Sequence, residues 1–263
     1  MFRFGFSLLT RRGEPVTAEP PTTSDTAAFL LQQIRRARAL RLAHAARPDR
    51  AAKRLLLREW QAARLKRTYA DLLDHPGYRA AAEFFLSDLY GLKDTSERDA
   101  AVERIYPAMV KMLPEPALHG IGLALELDAL SEELDAQLLD VLIEQLGLRD
   151  QITEVAYGDA YRRCDNYALR KHQIELLTQT GEDLALIVSK PFLYRVLRAM
   201  RRPALVAGFG ELQSFLERGF NAFRHLSEPR TFLETIERRE TRILDRLYAC
   251  HPRPFDEQEP VKP

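Results

Sequence analysis

The sequence predicts an all-α protein, a multi-helix antiparallel bundle of about nine or ten helices. Three observations carry this reading. Apolar residues recur at three- and four-residue spacing through most of the chain from residue 24 to 251. Prolines stand where helices begin, glycines where they end, and the links between them are short. No stretch alternates apolar and polar residues over strand length, and no Asn-Gly or Asp-Gly pair marks a hairpin.

Taken in order, residues 1–23 read as a flexible leader, because TRRGEPVTAEPPTTS (10–24) combines Pro, Gly and Thr without periodicity. Ser24 or Asp25 can cap a first helix to about Ala46, with Ala27, Leu30, Leu31, Ile34 and Ala37 as its apolar stripe. Pro48–Asp49 restarts the chain into a second helix ending at His75–Pro76–Gly77, with Leu56, Trp60 and Ala63 on one face. Residues 78–90 make a third, closed by Gly91. Ser96 and Asp99 have capping-box spacing and open a fourth, in which Pro107 predicts a kink.

The stretch 117–146 reads as two helices, since Ser131–Glu132–Glu133 looks like a fresh cap with acidic first-turn residues. Asp150 caps a long helix to about Thr180, ended by Gly181, and Pro191, Pro203 and Pro229 each suit the first turn of a further helix. Residues 24–251 then form a single helical domain, a basic hairpin (24–75) joined to a main bundle (78–251). The proline-rich segment 252–263 is expected to be a disordered tail.

Charge is balanced in total and segregated along the chain. Residues 1–70 carry 15 basic and 5 acidic side chains, and residues 71–160 carry 6 and 19. A basic arm followed by an acidic middle suggests internal complementarity first and an external polyanion second. Cys164 and Cys250 are the two cysteines, with no CxxC spacing, which suits a reducing compartment. Neither a signal-peptide core nor an apolar run of 18 residues occurs, so the expected location is the cytoplasm and no membrane partner is expected.

Phosphate-loop, dinucleotide-loop, HExxH and GxSxG patterns are absent. No histidine has an acid three positions before it, which excludes the ferritin-type di-iron arrangement. No metal and no cofactor are predicted. Four constellations remain. On the helix expected from Asp150, spacing places Tyr157, Tyr161, Cys164, His172 and Glu175 on one face, provided the helix continues through Asn166. That face lines a polar cavity, with Tyr161 and His172 at its centre, or it is packed with its polar groups bonded to neighbours; the packed reading is preferred.

Asp88, on the otherwise apolar EFFLSDLYG segment, is either a functional carboxylate or an acceptor for an arginine or a helix start. Asp128, Glu132 and Asp135 share a face that could hold a hard cation, although a solvated face or one met by the basic arm is the preferred reading. Finally, Arg35 to Arg67 contains twelve Lys or Arg against Asp49 and Glu59, a density that phosphate binding requires. Those charges fall around much of each helix without a recognition pattern, so nucleic acid is a disfavoured partner.

The string FFLSDLYG (84–91), followed by Asp94, Arg98–Asp99 and IYPAMVKMLP (105–114), resembles a family of uncharacterised bacterial all-helical proteins. ALELDALSEELD (124–135), AYRRCDNYALRKHQIEL (160–176) and LQSFLERGFNAF (212–223) extend the similarity over about residues 78–250. The resemblance implies a helical fold in a bacterial cytoplasm and carries over no activity or site residue. The preferred function is therefore a non-enzymatic interaction or regulatory protein, binding a protein partner, a second copy of itself or an apolar ligand. The alternatives are a helical enzyme or cofactor-binding protein built on the cavity beside Tyr161 and His172, and nucleic-acid binding through residues 35–67.

Overall fold

A computed structural model describes residues 8–9, 15–16, 23–89 and 96–256. Beyond an antiparallel pair of two-residue strands, β1 (Leu8–Leu9) and β2 (Pro15–Val16), the described chain is helical. The helices are α1 (Thr23–Ala45), α2 (Ala51–Thr68), α3 (Ala70–Asp74), α4 (Arg79–Phe84), α5 (Ser96–Met112), α6 (Glu115–Glu144), α7 (Glu154–Arg163), α8 (Tyr167–Val188), α9 (Pro191–Ala199), α10 (Arg201–Val206), α11 (Gly210–Arg224) and α12 (Pro229–Tyr248). A 3-10 turn, Pro48–Arg50, leads into α2, and a π-helical turn, Phe85–Leu89, follows α4. The all-helical fold is as the periodicity implies. No helix among the described residues is long and apolar enough to cross a membrane.

The bundle is organised around α6. This leucine-rich helix feeds three apolar clusters in turn along its length. Leu118 and Leu125 pack with Leu30 and Ile34 of α1 and Ala101 and Met109 of α5. Leu123, Leu127, Leu130 and Leu134 join Phe84, Leu176, Phe220 and Phe232. Leu138, Leu139 and Leu142 meet Leu57, Tyr157, Ile243 and Phe255. Burying one such leucine stabilises the fold by about 2 kcal/mol. α1 lies along one side of α6 and α8 along another, with α12 against α8.

Four expectations are corrected here. Residues 115–144 form one helix, because Ser131 is not a cap: its hydroxyl donates to the Leu127 carbonyl one turn back, at 2.7 Å. The helix expected from Asp150 to Thr180 breaks between α7 and α8, where Asp165 adopts a positive φ of 47°. The Asn166 N–H then donates to the Tyr248 hydroxyl at 3.0 Å, so the freed backbone is satisfied by α12. Gly181 does not end α8; it lets α12 approach closely. In the expected tail, Phe255 is buried at 8% exposure against Trp60 and Tyr157, so the chain is docked at Pro254 and Phe255. The rest of that segment, 257–263, lies outside the described residues, as do Gly91 and Asp94.

Candidate functional site

The break between α7 and α8 decides where the candidate residues go. Tyr157 and Tyr161 project from α7 into the interior, with their rings 5.4 Å apart. His172 sits on α8, half exposed, between Glu126 at 3.8 Å and Glu175 at 3.7 Å, and Glu175 is more exposed still. The tyrosine pair and the His172–Glu175 pair are therefore on different surfaces. Asp88 accepts hydrogen bonds from both Nε and Nη2 of Arg218, at 2.9 and 2.7 Å, which makes it a tie between the π-helical turn and α11.

Tyr157 and Tyr161 do line an internal cavity of about 70 Å³, although His172 does not. Its walls come from α2, α6, α7, α8 and α12, and Phe255 closes one side. Two arginines dominate it. Arg64 donates to Glu240 at 2.6 Å, and the Tyr69 hydroxyl donates to the same carboxylate oxygen at 2.7 Å. Arg170 donates to the Leu134 carbonyl at 3.1 Å and to Gln173 at 3.2 Å, with Asp135 at 3.5 Å. Its guanidinium lies 4.6 Å over the Tyr161 ring, a cation–π contact. Gln61 donates to Asp135 at 3.0 Å, and Trp60 stacks on Tyr157 at 4.1 Å.

The electrostatics follow from this pairing. Burial opposes the charge on Arg64, but its surroundings, Glu240 foremost, hold the guanidinium pKa above its ordinary value. For Arg170, burial likewise opposes the charge, and the guanidinium is still held above its ordinary value, with Asp135 as its counter-charge near neutral pH. Burial pushes the phenols of Tyr157 and Tyr161 above the ordinary tyrosine range, so both stay protonated near neutral pH. Each buried guanidinium is matched to a carboxylate, the arrangement that makes burial of charge tolerable. The Nε atoms of Arg64 and Arg170 have no hydrogen-bond partner among the described residues. A polar space of this size accommodates a few water molecules that would satisfy them. Among the described residues there is no cluster of three or more His, Cys, Asp or Glu suited to a metal ion.

The basic arm meets the acidic middle directly. Arg36 donates to Glu133 at 2.7 Å, Arg50 pairs with Asp140 and Glu144, and Arg58 pairs with Glu132. Arg38 donates to Glu103 at 2.7 Å and Arg67 to Glu154 at 3.2 Å. Glu132 is the most buried of these carboxylates; desolvation raises its pKa, and Arg58 opposes the rise. On the face of Asp128, Glu132 and Asp135, Glu132 is engaged by Arg58 of α2 and Asp135 by Gln61 of α2 and Arg170 of α8.

One surface was not singled out from the sequence. α9 is apolar on two sides. Leu193, Tyr194 and Leu197 pack inward on the main cluster. Phe192, Val196 and Met200, at i, i+4 and i+8, form an outward stripe with exposures of 64%, 41% and 43%. In α10, Leu205 and Val206 are 69% and 89% exposed. Five basic side chains, Lys190, Arg195, Arg198, Arg201 and Arg202, accompany them, and no acidic residue occurs between Asp183 and Glu211. That acid-free, basic run with apolar residues on both helix faces was the available signal.

A family model described as a domain of unknown function, DUF8198, matches residues 40–254. The chain belongs to that family. The DUF8198 match takes in α2 to α12, every residue that lines the cavity except Phe255, and the α9–α10 surface. It begins inside α1, so Arg36 and Arg38 lie before it while their acidic partners lie within. Neither a curated protein nor a solved structure matches the chain.

Proposed function

We propose that this DUF8198 protein is a non-enzymatic interaction protein whose contact face is the outer side of α9 and α10. The observation that carries this is the stripe Phe192, Val196 and Met200, exposed on a helix already anchored by Leu193, Tyr194 and Leu197. Isolated exposed apolar residues are ordinary; a continuous apolar stripe on a helix, extended by Leu205 and Val206, is characteristic of an interaction site. The cavity fits this reading as an internal staple, since its carboxylates are engaged by its own arginines and amides.

A photo-crosslinking amino acid at position 196 in the full chain, expressed in cells, tests the reading. An adduct at 196, to protein or to lipid, that is missing from a control at exposed Glu234 is expected, and equal labelling at both positions would overturn it. One observation favours a second reading, a ligand in the cavity: the two unpartnered Nε donors. Native mass spectrometry of untagged protein checks it, since a stoichiometric mass lost on Arg170→Met would establish a ligand. Nucleic-acid binding through residues 35–67 is disfavoured because Arg36, Arg38, Arg50 and Arg58 are engaged by carboxylates of α6 and α5.

A further inference from the structure

We propose that the surface which α9 and α10 present is an anionic lipid bilayer, met peripherally; this rests on the docking reading above and names its partner. The absence of a spanning helix concerns crossing a membrane and leaves contact with its surface open. Three observations select the partner. First, the segment is basic: among the described residues Arg201 is ion-paired to Glu217, on which the charge of Arg198 also acts, while Lys190, Arg195, Arg198 and Arg202 are exposed. Anionic headgroups attract such a cluster, and the attraction is screened by salt.

Second, the charge argues against a second copy of the chain. A two-fold dimer would place this face against itself and bring Arg195, Arg198 and Arg202 of each copy toward their equivalents. Third, the apolar side chains are the kind an interfacial helix inserts. Phe192, Val196 and Met200 run along α9, and Leu205 and Val206 protrude from α10, which follows after Met200. A fluid acyl boundary receives protruding side chains without requiring a shaped complement, which a folded protein partner must supply.

Leu205 also borders an open groove of about 1090 Å³ between α5, α10 and α11. Arg104 and Arg201 line it, with the Arg104 guanidinium stacked 4.8 Å over Phe209. The groove brings one further cationic side chain, Arg104, beside the apolar residues, where the phosphate of a headgroup would stand when the acyl region receives Leu205; Glu211 and Glu217 line its α11 side.

Flotation of the full-length protein with vesicles tests this. Phosphatidylcholine vesicles containing phosphatidylglycerol are compared with vesicles of phosphatidylcholine alone. Binding is expected on the anionic vesicles, weakening as salt is raised, and about tenfold or more lower on the neutral ones. Two surface variants, Phe192→Glu/Val196→Glu and Arg195→Gln/Arg202→Gln, should each lower binding by a similar factor with an unchanged circular dichroism spectrum. Absence of binding to anionic vesicles, or binding undiminished in both variants, overturns the proposal. A protein adduct at position 196 without vesicle binding would overturn the lipid assignment and leave the docking reading standing. Sedimentation showing a dimer abolished by Phe192→Glu/Val196→Glu would assign the face to a second copy instead. No adduct and no vesicle binding would remove both readings.

Discussion

Leu233 occupies the space that a side chain on Gly181 would need: a Cβ at that position would come within 2.4 Å of Leu233 Cδ2. Gly181 is therefore a point of close approach between α8 and α12. Gly→Ala in a free helix interior gains about 1 kcal/mol, whereas overpacking a filled core costs about 1–3 kcal/mol. Gly181→Ala should therefore lower stability in urea unfolding, and Leu233→Ala should suppress most of that added loss. Stabilisation by Gly181→Ala would show that the two helices are farther apart than this geometry has them.

Glu240 is the carboxylate paired with the buried Arg64 among the described residues, and it also accepts from Tyr69. Glu240→Gln leaves that guanidinium without its counter-charge, and breaking such a pair costs about 3–5 kcal/mol. Glu144→Gln, at a side chain 59% exposed, should cost under about 1 kcal/mol. Equal effects in denaturant titration would place Arg64 in a much wetter environment than this.

Phe255 meets both Trp60 and Tyr157, with ring centroids 5.6 and 6.0 Å away. Phe255→Ala should cost about 3 kcal/mol. Trp60 is the sole tryptophan, so its emission reports the site directly. A red shift in the folded variant is expected; an unchanged spectrum with unchanged stability would mean the segment does not dock.

The Glu217 carboxyl is held down to about 2, first by hydrogen bonds from Arg201. Its folded value lies below the ordinary 4.5, so the pair contributes stability that is present above 4.5 and lost as pH falls toward 2. Protection of α10 amides in hydrogen exchange should fall across that window. Glu217→Gln should flatten the dependence, and an identical acid profile in the variant would refute the assignment.

Arg36→Gln/Arg58→Gln should lower stability by about 1–2 kcal/mol, because each side chain is about one-third exposed and part of its pairing is screened. Gel-shift assays at physiological salt should show no nucleic-acid complex with the wild type. A complex that dissolves steeply with salt and vanishes in this variant would reverse the reading of the arm.

Much of the bundle was legible because its signals are local. The stripe Leu30, Ile34 and Ala37 is buried as its spacing requires, and the segregation of charge anticipated Arg36 on Glu133 and Arg58 on Glu132. What was not legible depends on partners distant in the chain. The turn at Asp165 is stabilised by Tyr248, 82 residues after Asn166, so no window around it reveals that the helix stops. Ser131 carries the same residue type as a cap and serves as a back-bonded interior residue. Likewise, Gly181 resembles a stop signal until Leu233 is placed beside it. Tyr157 and Tyr161, one turn apart, both line the cavity, while His172 is separated from them by that same turn. Arg64 and Glu240 lie 176 positions apart, and nothing local links them.

The arm and its acidic helix are made at different times. Arg36 meets Glu133 across 97 positions, so at roughly 5–20 residues per second α1 leaves the ribosome about 5–20 s before its partner exists. During that interval the cationic segment has no carboxylate helix to fold against. The nascent chain is then more adhesive to polyanions than the finished protein, and synthesis of α6 is the event that neutralises it.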